Sequence, residues 1–136
     1  MRESMISINL RGQRADFSWT ADLAVIIQKR YKLTKEISVA LLQPSEIKKL
    51  NKVYRHKDKV TDVLSFGMAD TAILGEVVIC LDQAKKQAKE KKHSLTMELK
   101  ILLVHGILHL LGFDHERSAL EQQRQEKEEQ IILSQL

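Results

Sequence analysis

Residues Ile73–Gly112, ILGEVVICLDQAKKQAKEKKHSLTMELKILLVHGILHLLG, decide how the rest of the chain reads. Ile73–Cys80 is a β-branched run that suits a strand. Asp82 then predicts the N-cap of a helix reaching Lys92. Ser94 predicts the cap of a second helix that runs to Leu111 and stops at Gly112, a residue suited to the left-handed conformation that ends helices. A strand leading into helices points to an α/β layer.

Outward from that stretch, Ala69–Ala72 reads as a turn, so Val63–Met68 becomes a strand just before Ile73–Cys80. Glu36–Leu42 (EISVALL) is another strand, and the apolar–polar alternation of Met5–Leu10 predicts one with a single buried face. Between these two, Ser18 and Thr20 are candidate N-caps of a helix over Ala21–Tyr31, with Leu23, Ile26, Ile27 and Tyr31 at helical spacing and cations at its end. Pro44 precedes Ser45, the expected cap of a helix over Glu46–Tyr54. The tail Ser118–Leu136 reads as helical, although Glu121–Gln130 contains no apolar residue. The expectation is an α/β single domain over residues 1–136, with a mixed sheet of about four strands packed with about five helices. Short connections favour antiparallel neighbours, and helical crossovers favour parallel ones.

Composition narrows the class. A chain of 136 residues is one domain against a norm of roughly 150 per domain. With 43% hydrophobic and 29% charged residues and only 5 glycines and 1 proline, disorder is excluded. Cys80 is the single cysteine, so no internal disulfide forms and a reducing cytoplasm is the expected compartment. The start MRESMISINLRG lacks the apolar core of a signal peptide. The longest apolar-rich run, Ile101–Leu111, is interrupted by His105, Gly106 and His109 and falls short of the roughly 20 residues that span a bilayer, so no membrane association is expected. A net charge of +4 leans toward anionic partners, and the lean is concentrated. Glu46–Lys59 holds Lys48, Lys49, Lys52, Arg55, Lys57 and Lys59 against only Glu46 and Asp58.

The chemistry concentrates in VHGILHLLGFDHE, Val104–Glu116, which holds His105, His109 and His115 out of 5 histidines. On a helix His105 and His109 stand about 40° apart in azimuth and about 6 Å apart along the axis, so both imidazoles can face one ion. Gly112 ends the helix and lets the chain turn back to bring His115 to the same place, leaving a fourth position open as catalytic zinc sites require. One histidine on an apolar helix is more often a satisfied core residue. Three together reverse that balance, because coordination offsets a desolvation cost that packing against leucine does not. A closed structural zinc site would draw on cysteines, and Cys80 lies in a strand.

The spacing H-x-x-x-H-x-x-G-x-x-H is the one found in metzincin proteases, but their glutamate base is replaced here by Gly106. Asp114 and Glu116 stand ready either to orient an imidazole or to act as base, with solvent exposure in a turn as the alternative for both. Elsewhere His93 reads as a solvated helix end, His56 as an exposed loop residue, and Cys80 as a small buried hydrophobe. Lys85, Lys86, Lys89, Lys91 and Lys92 read as a wet helix face. At 4%, aromatics are too few for a platform that stacks several bases, so any grip on a nucleic acid would be mainly to its backbone.

Two motifs together carry a family resemblance: H-G-x-L-H-L-x-G-x-D-H from His105 to His115, and L-N-x-x-Y-R-x-K-D-x-x-T-D-V-L-S-F from Leu50 to Phe66. They resemble the bacterial YbeY endoribonucleases, and Leu74–Ile79 fits as the strand before the histidine helix. The resemblance implies a zinc-dependent endoribonuclease of the single-strand type, acting in small-subunit ribosomal RNA maturation and ribosome quality control. It implies one zinc (Zn2+) per chain on His105, His109 and His115, with Arg55 and the metal-bound His105 as catalytic residues. RNA and the small ribosomal subunit are then the expected partners. A guanidinium suits that role, since it stays charged and grips two phosphate oxygens at once. Thr61, Asp62 and Ser65 match the motif as residues that shape the loop. Val60 and Gly67 stand where prolines are frequent, and Glu76 where aspartate is commoner. Two rival readings stand beside this one, a metal-dependent peptidase or amidase without its glutamate base, and a non-catalytic RNA- or ribosome-binding factor that zinc merely stabilises. No oligomeric state follows from the sequence.

Overall fold

Each apolar run in the sequence finds a layer to bury it. A computed structural model describes residues 5–136, and the part of the N-terminal reading that rests on residues 1–4 lies outside them. The order is β1 (Ile6–Asn9), α1 (Thr20–Tyr31), β2 (Glu36–Leu42), α2 (Pro44–Arg55), β3 (Val63–Gly67), β4 (Ile73–Cys80), α3 (Leu81–Lys91), α4 (Leu95–Leu110) and α5 (Ala119–Leu133). The sheet runs β1-β2-β4-β3. β1 pairs parallel with β2 and β2 parallel with β4, while β3 lies antiparallel to β4, so the sheet is mixed as expected.

One face of the sheet carries the larger core. Leu23 and Ile27 of α1 and Leu99, Leu103, Ile107 and Leu108 of α4 bury against Ile37, Val39, Leu41, Val77 and Ile79. The other face is covered by α2, where Ile47 packs with Leu42, Leu64, Val78 and Cys80. Burying a Leu or Ile side chain is worth about 1.5–3 kcal/mol, so α4, apolar on most of its surface, is anchored chiefly by this core. Among the described residues no helix is long and apolar enough to cross a membrane.

Several helix starts differ from expectation, each for a local reason. Neither Ser18 nor Thr20 caps α1. Ser18 spends its hydroxyl and backbone N–H on Asp16 Oδ1, Thr20 donates to the Phe17 carbonyl, and Trp19 holds the cap position. α2 starts earlier than expected, with Pro44 in its first turn and Gln43 rather than Ser45 before it; Glu46 Oε1 accepts the Gln43 N–H at 3.0 Å. α3 follows β4 without a loop, so Asp82 sits in its first turn instead of capping it. Ser94 does cap α4, its hydroxyl accepting the Met97 N–H at 3.0 Å, and Gly112 takes a φ of +101° just past the end.

His93 is not a free solvated helix end but a part-buried, paired side chain. Its Nε2 lies 2.6 Å from Oε1 of Glu98, a fully buried carboxylate that also receives Gln87 Nε2 at 2.8 Å and Lys91 Nζ at 3.3 Å. Burial alone would raise the Glu98 pKa, but donors from His93, Gln87 and Lys91 outweigh it and hold the carboxyl below its ordinary value. Cys80 is buried and His56 exposed, as read from the sequence.

Candidate functional site

α4 presents its histidines because its opposite side is fully committed to the core. With Leu103, Val104, Ile107 and Leu108 buried, His105 and His109 fall on a half-buried flank. Gly106 between them lets the helix press against the sheet. A Cβ there would come within 2.8 Å of Val77 Cγ1 and 3.3 Å of Ser65 Oγ, and the Ser65 hydroxyl donates to the Gly106 carbonyl at 3.1 Å. The missing glutamate base therefore has a steric cause: this position has no room for a side chain.

The flank opens onto a cleft of about 220 Å³ along β3, an edge strand. His105, His109 and His115 line it together with Arg55 from the end of α2, Lys57 and Lys59 from the basic loop, and Thr61, Asp62 and Ser65. Residues separated by as much as Arg55 and His115 thus share one wall-to-wall space. The rings of His105 and His115 approach to 4.9 Å between centroids. Burial lowers the His109 pKa; the Asp114 charge pulls it back, and the charges of His105, Arg55 and His115 lower it further, favouring a neutral imidazole.

From the sequence, Asp114 and Glu116 are imidazole partners, a base, or exposed turn residues; Glu116 lines the same cleft, and among the described residues neither carboxylate hydrogen-bonds a histidine ring. Glu116 meets Arg55 Nη2 at 2.6 Å, and that bond holds its carboxyl below the usual range. Asp114 Oδ1 accepts the Glu116 N–H at 3.0 Å. The carboxylate at the histidines is Glu129 of α5, whose Oε1 lies 2.7 Å from His105 Nδ1. Gln125, one turn earlier, accepts the His115 N–H at 3.1 Å. Both residues escape sequence reading because they sit in the stretch of α5 without apolar spacing; the only signal is their i, i+4 separation on a helix following the histidine motif. Asp62 shapes its loop as expected, accepting the Val63 N–H at 2.8 Å and Gln87 Nε2 at 3.1 Å.

As placed, no three His, Cys, Asp or Glu side chains among the described residues are gathered closely enough to hold a metal ion. The donor chemistry nevertheless fits one. His115 Nδ1 is buried without a hydrogen-bond partner, and His105 has one ring nitrogen taken by Glu129 and the other left over. An unpartnered buried nitrogen costs about 1–3 kcal/mol, which coordination in this part of the cleft would recover.

The family model for Endoribonuclease YbeY matches residues 5–136. The chain belongs to the YbeY endoribonuclease family. It is 50% identical over 105 residues to the Endoribonuclease YbeY of Aquifex aeolicus, covering 74% of this chain and 70% of that protein. A 40% identity over 122 residues links it to the Endoribonuclease YbeY of Finegoldia magna, with 79% and 80% covered. The solution structure of a Thermotoga maritima protein superposes with a TM-score of 0.63 at 27% identity, over 95% of this chain and 89% of that one. As a YbeY family member the chain is a hydrolase acting on RNA, which removes both the peptidase and the non-catalytic reading.

Proposed function

We propose that the cleft is the ribonuclease centre and that His105, His109 and His115 hold one zinc ion in it, with Arg55 binding the phosphate of the RNA backbone. The observation that carries this is the convergence of three imidazoles and one guanidinium, brought from three separate segments, on a single opening. A bound zinc supplies a Lewis acid for charge gathering on a phosphoryl oxygen.

The chain's own groups do the rest. Arg55 stands 35% exposed, already paired with a carboxylate, so a phosphodiester that enters the cleft exchanges one anion for another without reorganising the guanidinium. Lys57 and Lys59 add positive charge along the wall and hold the strand in register. Neutral imidazoles, favoured at His109 by burial, keep donor lone pairs available. Ribosomal RNA of the small subunit, encountered in the cytoplasm during maturation and ribosome quality control, is the substrate this reading assigns.

The test uses the purified full chain, structured ribosomal RNA and a chelator. Cleavage should stop on chelation and return with zinc, and His109→Ala should lose most of about one zinc per chain. Protein purified without chelator that carries no transition metal, or cleavage indifferent to chelation, overturns the metal assignment.

A further inference from the structure

The middle of α5 poses a separate question, because Glu121–Gln130 has no apolar side chain and yet Gln125 is 1% exposed. A buried amide must satisfy both of its ends. Its Oε1 accepts the His115 backbone N–H, so Nε2 turns the other way and donates to Glu129 Oε1 at 3.3 Å. The amide cannot be flipped without setting two donors face to face at His115.

The same Glu129 oxygen lies 2.7 Å from His105 Nδ1. An ionised carboxylate only accepts, so Nδ1 carries the proton and Nε2 keeps its lone pair. Gln125 Nε2 also comes within 3.1 Å of Nδ1, a contact and not a bond once Nδ1 is protonated. Residues four apart share one helix face, so a single turn of α5 holds the ring of one cleft histidine and the backbone of another.

We infer that Gln125 and Glu129 are positioning residues of the centre. Glu129 fixes His105 in the tautomer with its proton on Nδ1, and Gln125 ties that carboxylate to the loop that carries His115. α5 thereby sets the distance between a histidine on a rigid helix and one on a loop. The inference rests on the reading of these histidines as metal ligands, but the tautomer itself can be read without metal.

The experiment measures the His105 tautomer by ¹⁵N NMR on the metal-free full chain at about pH 8, above the range where imidazoles ordinarily gain a proton. Zinc affinity is measured in parallel by competition with a chromophoric chelator, with melting curves for every variant. Wild type should show the proton on Nδ1. Glu129→Ala should move population to Nε2–H, the tautomer a free imidazole prefers, and weaken zinc binding about 10- to 100-fold. Glu129→Gln still offers an amide oxygen, so it should keep the tautomer while losing part of the affinity. Gln125→Leu should shift the His115 amide resonance and weaken zinc binding in the same direction. A wild-type His105 protonated on Nε2, or an unchanged tautomer in folded Glu129→Ala, overturns the inference. Should Glu129→Ala not fold, unchanged zinc affinity in Glu129→Gln overturns it instead. A wild type that binds no zinc but shows the Nδ1 proton overturns the metal reading and supports the positioning role of Glu129.

Discussion

Arg55, the proposed phosphate-binding group, is already engaged by Glu116 at 2.6 Å, with both side chains partly in solvent. An exposed pair of this kind is worth little, with a median of about 0–1 kcal/mol, so a phosphate can displace the carboxylate cheaply. What the arginine contributes is geometry. Arg55→Lys keeps the charge but loses the planar fork, so the variant should fold and bind zinc as wild type does, yet cleave RNA about tenfold or more slowly at saturating substrate. Equal cleavage rates would remove Arg55 from the mechanism. This residue and the histidines were legible because their types and spacing are unusual on any surface or in any core. Gln125 and Glu129 were not, because glutamine and glutamate on a polar helix are ordinary until the helix is seen to lie over His105 and His115. Gly106 was noticed only for what it lacks, and the packing of α4 on Val77 supplies the reason.

Among the elements, β2 and β4 matched their expected spans because short apolar-rich runs that include β-branched residues leave few alternatives. Helix starts fared worse. Caps are decided by which oxygen reaches which N–H, and Asp16 claims Ser18 before the helix can. His93 was misread for a related reason: its partner Glu98 comes from the next helix. Gln87 lies at the centre of that junction, one amide nitrogen donating to Glu98 Oε2 at 2.8 Å and to Asp62 Oδ2 at 3.1 Å, and so ties α3 and α4 to the wall of the cleft. A carboxyl whose folded pKa is depressed contributes stability that is present above its unfolded pKa and lost as pH falls through the folded one. For Glu98 the loss therefore lies on the acid side of the ordinary carboxylate value of 4.5. Gln87→Ala removes one of the donors that lower this pKa, so the acid-unfolding midpoint should move to higher pH and stability at neutral pH should fall by about 1 kcal/mol. Urea titrations over a pH series measure both, and an acid midpoint identical to wild type would exclude Gln87 as a support of the Glu98 charge.

Over the whole molecule, a net charge of +4 is modest, and its effect on RNA depends on where the cations stand. Lys57 and Lys59 line the cleft beside Arg55. Lys49 is equally exposed on α2, but lies roughly 200° around the helix from Asn51, which lines the same cleft. If the backbone of the RNA follows the cleft, only the first two neutralise phosphates. Each such contact releases condensed counterions, so losing one lowers the slope of log affinity against log salt by about 0.7, the value for a single strand. Lys57→Ala and Lys59→Ala should each weaken RNA binding for all sequences alike and flatten the salt dependence by about that amount, while turnover at saturating RNA stays near wild type. Lys49→Ala should leave the slope close to that of wild type. Binding isotherms at several salt concentrations separate the cases. A Lys49 effect as large as that of Lys57 would mean that the RNA is held by diffuse charge across α2, and the cleft would lose its standing as the track of the strand.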